Sequence, residues 1–211
     1  MVLRFLREDD FDALVAALNE AFSDYLVPMS MTAPRLREIS KRRGVVLELS
    51  SAAFEEERIV GYTLNGLGTW NGVSSAYDSG TGVVPSHRRR GLARQLLEMS
   101  FPALRERGAR QMVLEVLEQN ERAVALYRSL GFEVTRPLHC WRYEGVAKLD
   151  GDAAEISIED VPIDCCDAAP SWQNSLEALR RSDDDCRVIA LERRDVLTPD
   201  ERAAMIEQIA S

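Results

Sequence analysis

The stretch VVPSHRRRGLARQLL, residues 83–97, restricts the fold more than any other part of the chain. Val83 and Val84 close a strand, and Pro85 ends it because proline cannot donate to a sheet ladder. Beyond a basic loop, Leu92, Leu96, Met99 or Ser100, and Ala103 or Leu104 recur at helical spacing, which predicts a long helix over residues 90–107. A strand that turns through such a loop into a helix presents unpaired N–H groups and the positive end of the helix dipole, a ready anion site. Gly91 lets the backbone come close to a phosphate, Ala93 keeps the next turn small, and Arg88, Arg89 and Arg90 add charge-assisted bonds. The dinucleotide fingerprint G-x-G-x-x-G and the P-loop G-K-[ST] are both absent. An arginine-rich helix start bathed in water is the alternative reading of this segment taken alone.

Elements alternate on either side of it. Residues 2–6 read as a first strand. A helix then starts at Asp9 or Asp10, with an aspartate as its cap and Phe11, Leu14, Val15, Leu18, Phe22 and Tyr25 on one face. Pro28 and Pro34 bracket a loop before a short helix over 35–42. Strands are expected at 44–49 and 58–67 about the turn Glu55-Glu56-Glu57, and at 74–84. Gly108 stops the long helix. A buried strand over 111–117, a helix over 121–130 stopped by Gly131, and strands at 132–135 and 139–144 follow. Strands alternating with helices make this an α/β fold with helices packed on a mixed sheet.

A second stretch, LEVLEQNERAVALYRSLGF at residues 114–132, carries a strand to Asn120 and then a helix with Tyr127. Asn120 and Tyr127, seven residues apart, fall on one helical face toward one groove, although a packed aromatic is the plainer reading of Tyr127 alone. Together the two stretches resemble the GCN5-related N-acetyltransferase (GNAT) family. Arg88-x-x-Gly91-x-Ala93 matches that family's [RQ]-x-x-G-x-[GA] motif, and the spacing to Asn120, Tyr127 and Gly131-Phe132 agrees. The resemblance spans roughly residues 1–144, with its specific part at 83–132.

What the resemblance implies is a GNAT-type mixed central sheet flanked by helices, using acetyl-CoA as co-substrate. The backbone of Gly82, Val83 and Val84 would pair with the pantetheine arm where two parallel strands splay. Backbone N–H groups of Arg89, Arg90, Gly91, Leu92, Ala93 and Arg94 would hold the pyrophosphate. Asn120 would bond near the pantetheine, and Tyr127 would protonate the departing thiolate. A neutral primary amine of a small molecule or peptide would attack the thioester directly in a ternary complex, with a backbone N–H near Val83 stabilising the oxyanion. Asp78 is the first candidate for general base, Glu115 the second and His139 a remote third. Phe22, Tyr25, Pro28 and Met29 would lie at the acceptor pocket or in the core. A non-catalytic acyl-CoA-binding regulator is the competing reading, which the joint presence of Asn120 and Tyr127 disfavours.

The formal net charge of −9 is uneven. Residues 150–211 hold 16 acidic residues against 6 arginines, whereas residues 86–110 hold seven arginines against Glu98 and Glu106. Such an island suits a local anion site and not a nucleic-acid face, which needs an extended basic stripe. Cys140, Cys165, Cys166 and Cys186 form no C-x-x-C pair, so neither a disulfide nor a metal site is expected. No apolar run is long enough for a membrane span, and the acidic cluster after residue 7 breaks any signal core, so the expected location is cytoplasmic. The expected domains are an acetyltransferase unit over 1–145 and a small acidic α/β extension over 146–211. The extension resembles a truncated second copy of the fold without an acetyl-CoA loop. Trp172 points to docking of this extension, onto the first unit or onto a second copy of the chain in a homodimer, over a solubilising role.

Overall fold

A computed structural model describes residues 1–25, 29–138, 171–175, 177, 178 and 181. Pro28, His139, the four cysteines, the strand expected at 139–144 and most of the extension lie outside the described residues.

Five strands form one sheet in the order β1-β2-β3-β4-β5: β1 (Val2–Phe5), β2 (Ser51–Glu55), β3 (Arg58–Trp70), β4 (Val73–Val83) and β5 (Gln111–Leu114). The first four pair antiparallel in sequence, and β4 pairs with β5 in parallel. Such a parallel pair needs a crossover. Helix α3 (Leu92–Glu106) supplies it, and α4 (Glu121–Ser129) follows β5. Helices α1 (Phe11–Ala21) and α2 (Ala33–Arg43) lie between β1 and β2 in the chain. Leu14, Leu18 and Ala21 of α1 pack with Phe54, Tyr62 and Leu64 on one face of the sheet. Leu92 and Leu96 of α3 pack with Ala53 and Val60 on the other. The mixed sheet flanked by helices is the architecture that the two stretches predict.

Several local expectations are corrected. Asp10 does not cap α1 with its side chain. Its carboxylate accepts from Arg7 N at 2.8 Å and from both terminal nitrogens of Arg4 at 2.7 and 2.6 Å, so the Arg4 guanidinium holds it below the usual carboxylate range. Helix α1 ends at Ala21, which leaves Tyr25 beyond it. Residues 44–49 are not a strand. Gly44 is the left-handed cap of α2 (φ 68°), Val45 makes one isolated bridge to Gly66, and a 3-10 turn, Leu47–Leu49, follows. Asn65 stabilises that departure by donating from Nδ2 to Leu49 O at 2.8 Å. Strand β5 is shorter than expected and only half-buried, and residues 132–135 form no strand. Helix α3 passes through Pro102, which lies on its exposed side, as does Glu98, whose carbonyl loses its donor.

Leu96 is fully buried between α3 and the sheet. Leu96→Ala should lower the unfolding free energy by about 2–5 kcal/mol, read from the urea midpoint at unchanged slope.

Candidate active site

The site begins where β4 and β5 part. Their parallel pairing runs from Ser75 opposite Gln111 to Asp78 opposite Leu114, where β5 stops while β4 continues to Val83. At the same place β4 carries an extra residue against β3. Leu64 faces Gly80 and Asn65 faces Asp78, so Ser79 is bulged out. Bulges of this kind re-aim side chains. Tyr77 and Asp78 point to opposite faces on one side of the bulge. Gly80, Thr81 and Gly82 alternate on the other.

A cavity of about 620 Å³ opens along this split. Its α4 side carries Asp78, Thr81, Asn120 and Tyr127. Tyr127 donates to Asp78 Oδ2 at 2.8 Å, Thr81 donates to the same oxygen at 2.8 Å, and Gly80 N donates to Oδ1 at 2.9 Å. Burial pushes the Asp78 carboxyl above its ordinary value, opposed in part by those three donors and by Arg43. Tyr127 is pushed up as well, first by burial and then by the Asp78 charge. Asn120 caps α4, its Oδ1 accepting from Ala123 N at 3.3 Å, so the cap orients its amide toward the cavity it lines. The sequence singles out Asp78, Asn120 and Tyr127 separately, and the fold brings them to one cavity.

The opposite side carries Phe22, Tyr25 and Met29 with Arg43, Tyr62, Tyr77 and Glu115. Phe22 and Tyr25 meet edge to face at 4.9 Å, and Asn19 pins the following loop by bonding Met31 N and O at 2.7 and 2.9 Å. Those aromatics therefore line the cavity. Glu115 is exposed, and its two oxygens accept from Trp172 N at 3.1 Å and Tyr77 Oη at 3.4 Å. The sequence reading missed Arg43, Tyr62 and Tyr77. Period-two alternation in β3 and β4 marks the two tyrosines as inward, but the bulge that brings them together leaves no pattern.

The basic loop follows β4, which ends two residues beyond Thr81, the last residue of that strand to line the cavity. Arg89 (φ 62°) and Gly91 (φ 72°) take left-handed conformations that turn the chain into α3. A Cβ at Gly91 would meet only Gln95 Nε2, at 3.9 Å, so backbone strain and not crowding selects glycine there. The first-turn N–H groups of α3 have no intrahelical acceptor. Arg88 differs from the role sketched for the loop arginines. It bonds both Asp24 oxygens at 2.6 and 2.7 Å, Ala21 O at 2.8 Å and Val83 O at 3.1 Å, which ties the loop to the end of α1. Arg90 bonds Ser86 O, and Arg94 bonds Glu98 and Ser129. Val84 N is committed to Val60 O at 3.0 Å, so by strand alternation the Val83 N–H faces the split. Gly82 is the close-approach position. A Cβ there would lie 2.9 Å from the Tyr62 ring and hydroxyl and 3.0 Å from the Ala21 Cβ.

Among known proteins, the model of the acetyltransferase (GNAT) family matches residues 11–132. The thialysine N-ε-acetyltransferase of Bos taurus is 32% identical over 110 residues, 49% of this chain and 64% of that protein. The ribosomal protein bS18-alanine N-acetyltransferase of Escherichia coli K12 is 48% identical over 50 residues, 24% of this chain and 34% of that protein. The matched part thus spans less than two thirds of either curated relative. The aminoglycoside N-acetyltransferase AAC(6')-Iy, solved with a bisubstrate analogue of coenzyme A and acetylneamine, shares the fold at a TM-score of 0.53 and 19% identity, over 68% of this chain and 98% of that one.

The raised Asp78 pKa has a stability consequence. Above the ordinary value of 3.8 and up to its raised value, the folded chain keeps a proton that the unfolded chain has released, so stability falls as pH rises through that window. Asp78→Asn cannot titrate, so its unfolding free energy relative to wild type should climb with pH across the same window. Urea unfolding over a pH series checks this, and a constant difference would contradict a buried, titrating carboxyl.

Proposed function

The chain belongs to the acetyltransferase (GNAT) family, and on that premise we propose that it moves the acetyl group of acetyl-CoA onto a primary amine of a small molecule or peptide by direct attack. The observation that carries this reading is the Tyr127–Asp78 hydrogen bond at the split between β4 and β5, on a cavity that both residues line.

The residues fit the co-substrate. The N–H groups from Arg89 to Arg94, at an open loop with Gly91 in the left-handed region, suit a pyrophosphate. Gly82 and the outward Val83 N–H suit a pantetheine arm that takes the strand position which β5 leaves, and the Asn120 amide lies beside that path. Val84, expected to join them, is set apart: its N–H serves the sheet and its side chain is buried in the core beside Leu92 and Leu96. Acetyl-CoA supplies an acyl group already activated as a thioester.

Proton movement follows from the buried pair. Asp78, its pKa raised by burial, is poised to accept a proton from the acceptor amine. Tyr127 is a poor acid while Asp78 is charged beside it. Once Asp78 is protonated that charge is gone, and Tyr127 can give its proton to the leaving sulfur while Asp78 returns one to the phenol oxygen. The amine proton leaves nitrogen, the sulfur gains one, and both residues end as they began. The Val83 N–H faces the oxygen that gains negative charge. Glu115, at the exposed acceptor end, suits recognition of a cationic amine and is the second candidate base. A cytoplasmic location accords with this use of acetyl-CoA and is part of the proposal.

Isothermal titration with acetyl-CoA should give a micromolar Kd that Arg90→Glu and Gly91→Trp abolish. No binding by folded wild-type protein would sink the reading. Amine-dependent thiol release should fall about 10²–10⁴-fold in kcat for Tyr127→Phe, with the acetyl-CoA Kd held within about threefold. Binding without thiol release from any amine would favour the regulator reading.

A further inference from the structure

Trp172 sits more than ninety residues along the chain from Tyr77, yet the two rings stack at 5.0 Å and 2°. Trp172 is 3% exposed, although the segment around it belongs to a part of the chain that carries no acetyl-CoA motif. Its receptor is built for it. A Cβ at Gly68 would lie 3.0 Å from the Trp172 ring, so only glycine leaves room. The ring nitrogen donates to Arg43 O at 3.0 Å, and the main-chain N–H donates to Glu115 Oε1 at 3.1 Å. Gln173 Oε1 accepts from Arg43 Nη2 at 2.7 Å, while Arg43 Nη1 donates to the carbonyl of the bulged Ser79 at 2.9 Å. Two further clamps hold the segment: Glu177 accepts from Thr69 N at 2.8 Å, and Arg181 donates to Leu67 O at 3.0 Å.

Apart from Gly68, the first set of contacts ends on residues that line the cavity: Tyr77, Arg43, Glu115 and Ser79. Glu115 has one oxygen held by Trp172 and the other by Tyr77. Arg43 is held at its carbonyl by Trp172 and at its guanidinium by Gln173. Without this segment Glu115 would keep, among the described residues, only its bond from Tyr77 and Arg43 only its guanidinium contact with Ser79, so each charged group would lose the anchor that fixes its place at a solvent edge. We propose that Trp172 is a positioning residue for the acceptor: with Gln173 it sets Glu115 and Arg43 at separate points of the cavity wall and thereby decides which amines are accepted. The inference rests on the acetyltransfer reading of the cavity for its kinetic part alone.

The test compares full-length wild type, Trp172→Ala and Trp172→Phe. Thiol release is followed with L-lysine, spermidine and an alanine-initiated tripeptide as amines, and hydrogen exchange is followed without any amine. Trp172→Ala should raise the KM of the best amine at least tenfold and leave the KM of acetyl-CoA within twofold. Trp172→Phe keeps the stacking and the main-chain bond to Glu115, so it should recover most of the loss. Amides of residues 74–80 and 111–118 should exchange at least tenfold faster in Trp172→Ala, while those of residues 85–97 stay as in wild type. Unchanged exchange at 74–80 and 111–118 would overturn the positioning role, whether or not an amine is turned over. An acetyl-CoA KM that moves as far as that of the amine would overturn it as well, since the loss would then be general. Absence of acetyl-CoA binding by wild type counts against the proposed activity alone, because the exchange comparison still decides the wall.

Discussion

The early end of β5 is the constraint on which the site depends. A parallel pair that ran the full length of β4 would satisfy the outward N–H and C=O groups of residues 79–83 within the sheet. Because pairing stops at Asp78 and Leu114, the Val83 N–H faces an opening instead, while the carbonyls of Ser79 and Val83 accept from Arg43 and Arg88. An unpaired strand edge inside a protein demands a partner, since buried backbone groups without one are costly. A ligand that is extended and rich in amides meets the demand as a further strand would. The bulge at Ser79 adds the second requirement, because it sends Asp78 toward α4 and leaves Gly80 and Gly82 on the α1 face. The two irregularities together create the open strand edge and the place where a carboxylate can meet Tyr127.

A buried carboxylate needs donors, and Asp78 has three. They come from its own strand and from α4, so the helix that follows β5 is anchored to the strand that precedes the arginine loop. The bond from Tyr127 thus has a packing role in the resting protein besides the chemical one assigned to it. Those donors moderate a shift that burial sets in the upward direction. A carboxylate in water at this place would hold its charge and stay a weak base. One buried without donors would stay neutral and accept nothing. At Asp78 burial and donors act in opposite directions, which accords with the proton-accepting role proposed for it.

Much of this was legible in the sequence because it is local. The arginine loop, Gly91 and the start of α3 are consecutive, and their conformations follow from proline, glycine and helical spacing within about fifteen residues. Asn120 and Tyr127 share one short helix. Asp78 could be named as a candidate but not paired, since its bond to Tyr127 joins residues 49 positions apart in the chain. Residues 44–49 misled for a related reason. Their apolar run has strand composition, but the segment serves as the cap of α2 and a turn whose carbonyl bonds to Asn65. Tertiary satisfaction of backbone groups there overrides local propensity. The splay itself has no sequence signal, because strand ends depend on where the partner strand turns away.

The arginine loop and the cavity are therefore encoded differently. The loop's backbone donors come from contiguous sequence that can be kept as a motif. The acceptor end is assembled from the turn after α1, the last residue of α2, one residue beyond β5 and the segment at Trp172, four pieces with no shared spacing. The Asp78–Tyr127 bond runs through none of these pieces. Glu115 and Arg43 show how they are joined, for each is held by the Trp172 segment and by β4 at once, Glu115 through Tyr77 and Arg43 through Ser79. A fold organised this way keeps the sheet split and the Asp78–Tyr127 bond in one part of the chain, while the opposite wall of the cavity takes its shape from parts that lie far away in the chain. The charge carried by the cavity wall is then a property of the docked segment as much as of the domain it docks on.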